Sequence, residues 1–135
     1  MNISLTTVLL IEDDPADAAL IQAALTAAEG SPFRVEWVTR LADALERLRR
    51  DRFEVVLLDL SLPDGPGLDA FDQVFLAAPN ELILVLSGLT DEETARQAVE
   101  RGAHDYFAKG HVDAHWLPRA LRYVIERKTA RDARQ

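Results

Sequence analysis

Five short apolar runs alternate along the chain with segments of helical period, and this alternation restricts the fold more than any other feature. Each run is bounded by turn-forming residues and is too short for a helix. Such alternation predicts an α/β architecture, with a parallel sheet and right-handed crossover helices. We therefore predict a doubly wound sheet of five strands, at residues 7–11, 33–38, 55–58, 82–86 and 105–108.

Helix signals fill the gaps between the predicted strands. Asp14 followed by Pro15 is typical of an N-cap and a first helical residue, and Gly102 is typical of a helix end. The loop at Gly65–Gly67 does not have the spacing of a nucleotide-binding fingerprint. Helices are predicted at about residues 16–28, 41–50, 68–78 and 91–101, and from about residue 114 onward.

Composition narrows the class of protein. The 135 residues suffice for one substantial core, and the absence of cysteine excludes disulfides and thiolate metal sites. A net charge of -8 argues against direct nucleic-acid binding. No apolar run reaches the ~20 residues of a membrane helix, and the first residues do not resemble a secretory signal. We expect a soluble cytoplasmic protein that has no membrane partner.

Polar residues follow four of the predicted strands. Glu12–Asp14 follow the first strand, Asp59 the third, Ser87 the fourth and Lys109 the fifth. In open α/β sheets, ligands bind beyond the carboxyl ends of the strands. Each residue also has a purely structural interpretation: Asp14 and Ser87 as helix caps, Asp59 as a turn residue, and Lys109 as a surface charge.

Considered together, these residues favour a phosphoryl-transfer site. Carboxylates that lie close together beside apolar strands repel one another unless a cation is bound, and Mg²⁺ prefers such oxygen ligands. A hydroxyl and an ammonium group would bind the remaining oxygens of a phosphoryl group. The set has the parts of a carboxylate nucleophile with its metal and two phosphoryl-binding groups.

The stretches that contain these residues resemble the receiver domains of bacterial two-component response regulators. The resemblance covers about residues 7–125, and it implies a flavodoxin-like (βα)₅ fold with strand order 2-1-3-4-5. The resembling stretches are Val8–Pro15 (VLLIEDDP), Val55–Gly65 (VVLLDLSLPDG), Leu84–Gly88 (LVLSG) and Gly102–Lys109 (GAHDYFAK).

The resemblance implies a phosphoacceptor with a bound metal ion, not an enzyme. Asp59 would accept a phosphoryl group from the phosphohistidine of a sensor kinase or phosphotransfer protein. Glu12, Asp13 and Asp59 would hold Mg²⁺, together with the backbone carbonyl of Ser61.

The resemblance also implies a conformational switch. Ser87 and Lys109 would bind phosphoryl oxygens, and Tyr106 would turn inward when Ser87 is drawn to the phosphate. Two residues depart from the family pattern: threonine is common at the position of Ser87, and Gly110 replaces the proline that usually follows the lysine. A cis peptide without proline costs roughly 2.5–4 kcal/mol, so we expect a trans bond and a less fixed lysine.

The histidines and tryptophans have weaker functional interpretations. His111 and His115 are spaced for one helix face, but no third metal ligand is near them in sequence. We therefore interpret both, and His104, as surface histidines. Trp37 and Trp116 are interpreted as core or interface aromatics.

Two other functions are compatible with an aspartate in this position. One is a Mg²⁺-dependent phosphohydrolase of the haloacid-dehalogenase kind, which would place a second aspartate two residues after the nucleophile, where this chain has Ser61. The other is a degenerate receiver that serves only as a docking module.

The end of the chain differs in composition from the rest. We predict a receiver domain at residues 1–125 and an extension of the last helix at residues 126–135, either a projecting helix or a frayed tail. Ala120–Lys128 is similar to the junction helices that join receivers to output modules. The protein either acts alone on a partner or is the input part of a longer chain, and pairing of this helix would make a homodimer.

Overall fold

The computed structural model describes residues 5–27, 31–65, 67–88 and 90–133. Strands and helices alternate along it, which confirms the predicted α/β class. The strands are β1 (Thr6–Ile11), β2 (Phe33–Val38), β3 (Val55–Asp59), β4 (Leu82–Ser87) and β5 (Asp105–Ala108). The helices are α1 (Pro15–Thr26), α2 (Leu41–Arg50), α3 (Gly67–Ala77), α4 (Glu92–Arg101) and α5 (Leu117–Ala133), and a 3₁₀ turn spans Lys109–His111.

The five strands form one parallel sheet in the order β2-β1-β3-β4-β5, as predicted. Ile11 pairs with Leu58, and Asp59 pairs with Leu86, so the carboxyl ends of the central strands lie side by side. Alternate strand residues point to opposite faces. Leu9 therefore belongs to the core shared with α2, α3 and α4, whereas Leu10 belongs to the core shared with α1 and α5.

The observed helix limits differ from the predictions by a few residues. Helix α1 ends at Thr26, and the predicted end at residue 28 lies outside the described residues. Helix α5 spans Leu117–Ala133, and the turn before it starts near the predicted residue 114: Asp113 Oδ1 accepts hydrogen bonds from the amides of His115 (2.9 Å) and Trp116 (2.7 Å), as an N-cap does. Pro118 has no N–H to continue the helical hydrogen bonds of that first turn. Gly67 is the first residue of α3, with φ +64°.

Helix α5 continues well past the apolar residues that anchor it. Leu117 and Leu121 are buried, and Ile125 is half-buried against the same core. Beyond them the helix stays regular to Ala133, with an ion pair between Lys128 and Asp132 at 2.8 Å. The polar extension is thus helical and not frayed as far as Ala133. Within the described residues, no helix is both long and apolar enough to cross a membrane.

Candidate functional site

Three carboxylates meet at the carboxyl edge of the sheet. Glu12 and Asp13 follow β1, and Asp59 ends the adjacent strand β3. One oxygen from each lies within 4.8 Å of the others. The side chains of Glu12 and Asp59 are fully buried, whereas Asp13 is exposed. Buried carboxylates at such distances repel when ionised, so the cluster favours either a shared proton or a bound cation.

The pKa values of the cluster reflect this repulsion. Burial, followed by the hydrogen bond with Asp59, raises the pKa of Glu12 to about 8. Desolvation and Asp59 also raise the pKa of Asp13. Burial alone would raise the pKa of Asp59. The hydrogen bond with Glu12 and the positive charge of Lys109 outweigh burial, so the pKa of Asp59 is lowered. Without a bound cation, the raised pKa of Glu12 favours a proton shared within the cluster, and a cation could displace that proton.

Lys109 brings a positive charge into the cluster from the turn after β5. Its Nζ lies 2.8 Å from Glu12 Oε1, 3.1 Å from Asp59 Oδ1 and 3.1 Å from Asp17 Oδ2. Burial acts to lower the pKa of Lys109, but the Glu12 and Asp59 carboxylates raise it well above its usual range. The surface-charge interpretation of Lys109 is therefore wrong. Its peptide bond to Gly110 is trans.

The two oxygens of Asp59 have different surroundings. Oδ1 accepts hydrogen bonds from the amide (3.2 Å) and the hydroxyl (3.0 Å) of Ser61, so Asp59 also serves as the turn residue of the structural interpretation. Asp59 Oδ2 has no hydrogen-bond partner within the described chain, and Glu12 Oε1 has only the ion pair with Lys109. Buried carboxylate oxygens left in this way fit the hard-oxygen preference of Mg²⁺.

Ser87 and Tyr106 lie on the adjacent strands β4 and β5, and both line a cleft with Lys109. The side chain of Ser87 is buried at the end of β4, and Asp91, not Ser87, is the N-cap residue of α4. Tyr106 on β5 is half-buried and packs against the core shared with α2, α3 and α4. Both residues line an open cleft of about 810 Å³, together with Lys109 and Trp116. Whether Ser87 and Tyr106 act as a switch stays a prediction.

Two contacts to the cluster were not predicted from the sequence. Asp17, in the first turn of α1, pairs with Lys109 from 92 positions away in the chain. Trp37, near the end of β2, donates its indole N–H to the backbone carbonyl of Glu12 at 2.7 Å. The sequence indicates these two contacts only through position: Trp37 lies near the end of one predicted strand, and Asp17 lies at the start of the helix that follows another.

Asp64 is a third residue whose role the sequence did not indicate. It lies in the loop after β3, and its carboxylate accepts hydrogen bonds from the amides of Leu41 (2.9 Å) and Ala42 (3.1 Å). Arg40, the N-cap residue of α2, makes no side-chain cap bond, so Asp64 caps that helix from a distance. Burial alone would raise the pKa of Asp64, but the hydrogen bonds from these two amides outweigh burial and lower that pKa.

The structure confirms the surface interpretation of two histidines and corrects that of the third, and it excludes the core interpretation of both tryptophans. His111 and His115 are exposed, as predicted for surface residues. The interpretation of His104 is wrong, because its half-buried ring accepts a hydrogen bond at Nδ1 from the amide of Ile83 (3.2 Å). Trp37 and Trp116 are each 38% exposed, so neither is a core residue.

Curated proteins of similar sequence include bacterial regulatory proteins. The chain is 36% identical over 102 residues to the swarming motility regulation protein RssB of Serratia marcescens, covering 76% of this chain and 45% of that protein. It is 34% identical over 128 residues to the transcriptional regulatory protein KdpE of Mycobacterium tuberculosis, covering 93% and 54%. The chain spans about half the length of these relatives.

A solved structure has the same fold. The receiver domain of a sensor histidine kinase from Pseudomonas aeruginosa PAO1 superposes with a TM-score of 0.71 at 26% identity, covering 92% of this chain and 97% of that one. That structure has a magnesium ion in its active-site cleft. The model of the family described as response regulator receiver domain matches residues 8–121. The acidic cluster, the strand order and this match lead to one conclusion: the chain belongs to the response regulator receiver domain family of two-component systems.

Proposed function

We propose that this receiver domain is a phosphoacceptor and that Asp59 takes the phosphoryl group from a phosphohistidine of a sensor kinase or phosphotransfer protein. The observation that supports this most directly is the buried Asp59 Oδ2, which lacks a hydrogen-bond partner in the described chain and belongs to a carboxylate paired with Lys109. A carboxylate oxygen would form a bond to phosphorus while the phosphorus–nitrogen bond breaks, and the donor imidazole would keep the electron pair and take up a proton.

The proposed metal ligands are the carboxylates of Glu12, Asp13 and Asp59 and the backbone carbonyl of Ser61. Together with Asp17, four carboxylates surround the single ammonium of Lys109, a net charge of minus three when all are ionised. Bound Mg²⁺ would neutralise charge and orient phosphoryl oxygens. The magnesium in the Pseudomonas receiver supports this assignment.

The proposed readout involves Ser87, Lys109 and Tyr106. The Ser87 hydroxyl and the Lys109 ammonium would each bind a phosphoryl oxygen. Movement of Ser87 toward the phosphate would leave space that the half-buried Tyr106 fills, changing the walls of the cleft that both residues line. Phosphorylation would in this way bias the cleft between two conformations.

The proposed context is a cytoplasmic signalling protein whose receiver, residues 1–125, controls an output domain or a separate partner through the helical extension at residues 126–135. Several relatives are transcriptional regulators of about twice this length. In this proposal the domain itself is not an enzyme, although it assists its own phosphorylation and dephosphorylation, and it does not bind nucleic acid directly.

Phosphorylation by a small-molecule donor tests the proposal. We expect wild-type protein incubated with acetyl phosphate and Mg²⁺ to gain the mass of one phosphoryl group, with acetate released. Asp59→Asn, which keeps the size of the side chain, should gain none. Intact-protein mass spectrometry measures both, and omission of Mg²⁺ should abolish the gain.

Other outcomes would favour the alternatives. Absence of any mass gain in folded wild-type protein would contradict the proposal and favour a receiver that only docks. Sustained turnover of a phosphomonoester that disappears in Asp59→Asn would favour a phosphohydrolase, although Ser61 occupies the position of the general acid in that class and donates its hydroxyl to Asp59.

A further inference from the structure

The backbone after Lys109 provides little restraint on the lysine. Lys109 begins a 3₁₀ turn, and the next residue, Gly110, is exposed. A Cβ placed on Gly110 would meet no atom within 4 Å. A hydrogen bond from the Val112 amide to the Lys109 carbonyl (3.3 Å) holds the turn itself, but no side chain at position 110 restrains the lysine. The aim of the lysine side chain therefore depends on what its ammonium group contacts.

Three carboxylates from three different elements contact that ammonium. Glu12 and Asp59 form ion pairs with the ammonium, whereas Asp17 Oδ2 accepts a hydrogen bond from it at 3.1 Å. Glu12 and Asp59 are also members of the acidic cluster that can hold a metal ion, but Asp17 is not. If a cation and a phosphoryl group engage the cluster, Asp17 is the partner that remains available to the lysine.

Asp17 stands on a rigid support. It is the third residue of α1, whose start is fixed by the Asp14 carboxylate, which accepts a hydrogen bond from the Ala16 amide at 2.9 Å. Ala18 and Ile21 bury the adjacent face of the helix against the sheet. The side chain of Asp17 is 36% exposed, whereas that of Lys109 is 18% exposed, so the pair lies at the rim of the cluster.

We propose that Asp17 is a positioning residue that tethers the Lys109 ammonium beside Asp59 and keeps it aimed at the incoming phosphoryl group. This inference rests on the proposed phosphoacceptor function. The tether occupies one lysine N–H and leaves the other two for phosphoryl oxygens. The carboxylate of Asp17 would also repel a phosphoryl dianion, so removing Asp17 weakens phosphate binding if it acts as a tether and strengthens binding if it acts only as a competing charge.

The affinity for beryllofluoride in the presence of Mg²⁺ tests this by the sign of the effect. We expect Asp17→Ala to weaken binding about fivefold, the size of a partly exposed ion pair, and Asp17→Asn to weaken it less. Asp43→Ala is the matched control: Asp43 is an exposed acid in the first turn of α2 and makes no ion pair within the described residues. Its affinity should equal that of the wild type.

A double-mutant cycle separates positioning from a general structural effect. If Asp17 acts through the lysine, Asp17→Ala should change the beryllofluoride affinity in wild type but not in a Lys109→Ala background. Equal or tighter binding by Asp17→Ala, or the same loss in both backgrounds, would overturn the tether. Should Asp17→Ala not fold, the isosteric Asp17→Asn decides the sign. Failure of folded wild type to bind beryllofluoride would instead contradict the phosphoacceptor function, and the tether with it.

Discussion

Glu12 and Asp59 are fully buried and close together, and their titration links the stability of the protein to pH. The pKa of Glu12 rises from 4.5 to about 8, so the folded protein retains a proton that the unfolded chain has lost. The stabilisation from this group is complete below about pH 4.5 and disappears as the pH rises through about 8. Asp59 affects stability in the opposite direction, because its pKa is lowered. Its contribution to the stability of the fold is present above pH 3.8 and is lost only as the pH falls below that value.

We therefore predict that, without a divalent cation, the unfolding temperature falls as the pH is raised from about 6 to about 9. Mg²⁺ should stabilise the protein more at the upper end of this range, because it no longer competes with the proton. Glu12→Gln should flatten the decline. Thermal denaturation followed by circular dichroism measures these effects, and a Mg²⁺ stabilisation independent of pH would contradict the shared-proton account.

Trp37 supports the segment that contains Glu12 and Asp13, because its indole N–H donates a hydrogen bond to the backbone carbonyl of Glu12. Loss of its indole N–H would leave the Glu12 carbonyl without this bond and loosen the segment that carries two proposed metal ligands. We predict that Trp37→Phe weakens Mg²⁺ binding severalfold, with little change for Trp116→Phe, whose ring packs against Phe107 at 4.9 Å between centroids. Calorimetric titration with Mg²⁺ compares them, and equal affinities for both variants would count against this role.

Among the helices and strands, the loop after β3 is the connection that joins the proposed phosphoacceptor, Asp59, to helix α2. It begins directly after Asp59, and Asp64 within it caps α2 at two amides. The same loop contains the Ser61 carbonyl proposed as a metal ligand. The residue that caps α2 therefore lies only five positions after Asp59 in the chain.

Removing this cap should destabilise the protein measurably. We predict that Asp64→Ala lowers the free energy of unfolding by about 1–2 kcal/mol, the usual range for a lost N-cap. Asp69→Ala should change it by less than about 0.5 kcal/mol, because the hydrogen bond of Asp69 within the described residues is with the exposed side chain of Gln73. Urea denaturation provides both values, and comparable losses in the two variants would show that Asp64 is not a cap.

Local sequence patterns predict the helices and strands within a few residues, but they do not predict contacts between residues that are far apart in the chain. The Asp14 cap was predictable because its partner, Ala16, lies two residues away. The Asp64 cap spans 23 positions and the pair between Asp17 and Lys109 spans 92, so no local pattern contains both partners. His104 was misjudged because its partner is a backbone amide of the neighbouring strand, at Ile83, which side-chain composition does not show.

The site was predictable for a related reason. In a parallel sheet all carboxyl ends share one edge, so residues that follow separate strands are brought together once the strands are correctly assigned. That rule predicts that Glu12, Asp59 and Lys109 lie together. The same rule does not predict the distances between these residues or their burial. Nor does it predict that Asp59 Oδ1 accepts hydrogen bonds while Oδ2 has no partner in the described chain, because this depends on packing around the turn at Ser61.

On the scale of the whole molecule, α5 extends beyond the apolar residues that anchor it to the sheet. It continues to Ala133, and Tyr123 on its outer side is 61% exposed. We predict that Mg²⁺ with beryllofluoride increases self-association through this helix in wild-type protein but not in Asp59→Asn. Sedimentation velocity measures the mass, and an unchanged monomer under both conditions would contradict phosphorylation-linked pairing.

The proposed function requires that Asp59 accepts a phosphoryl group and that Ser87 and Tyr106 respond to it. Amide NMR spectra with Mg²⁺, recorded before and after addition of beryllofluoride, test it most directly. The predicted result is a set of shifted resonances around Asp59, Ser87 and Tyr106 in wild type, with none of them shifted in Asp59→Asn. A wild-type spectrum that does not change at Ser87 and Tyr106, or an equal response from Asp59→Asn, would contradict the claim.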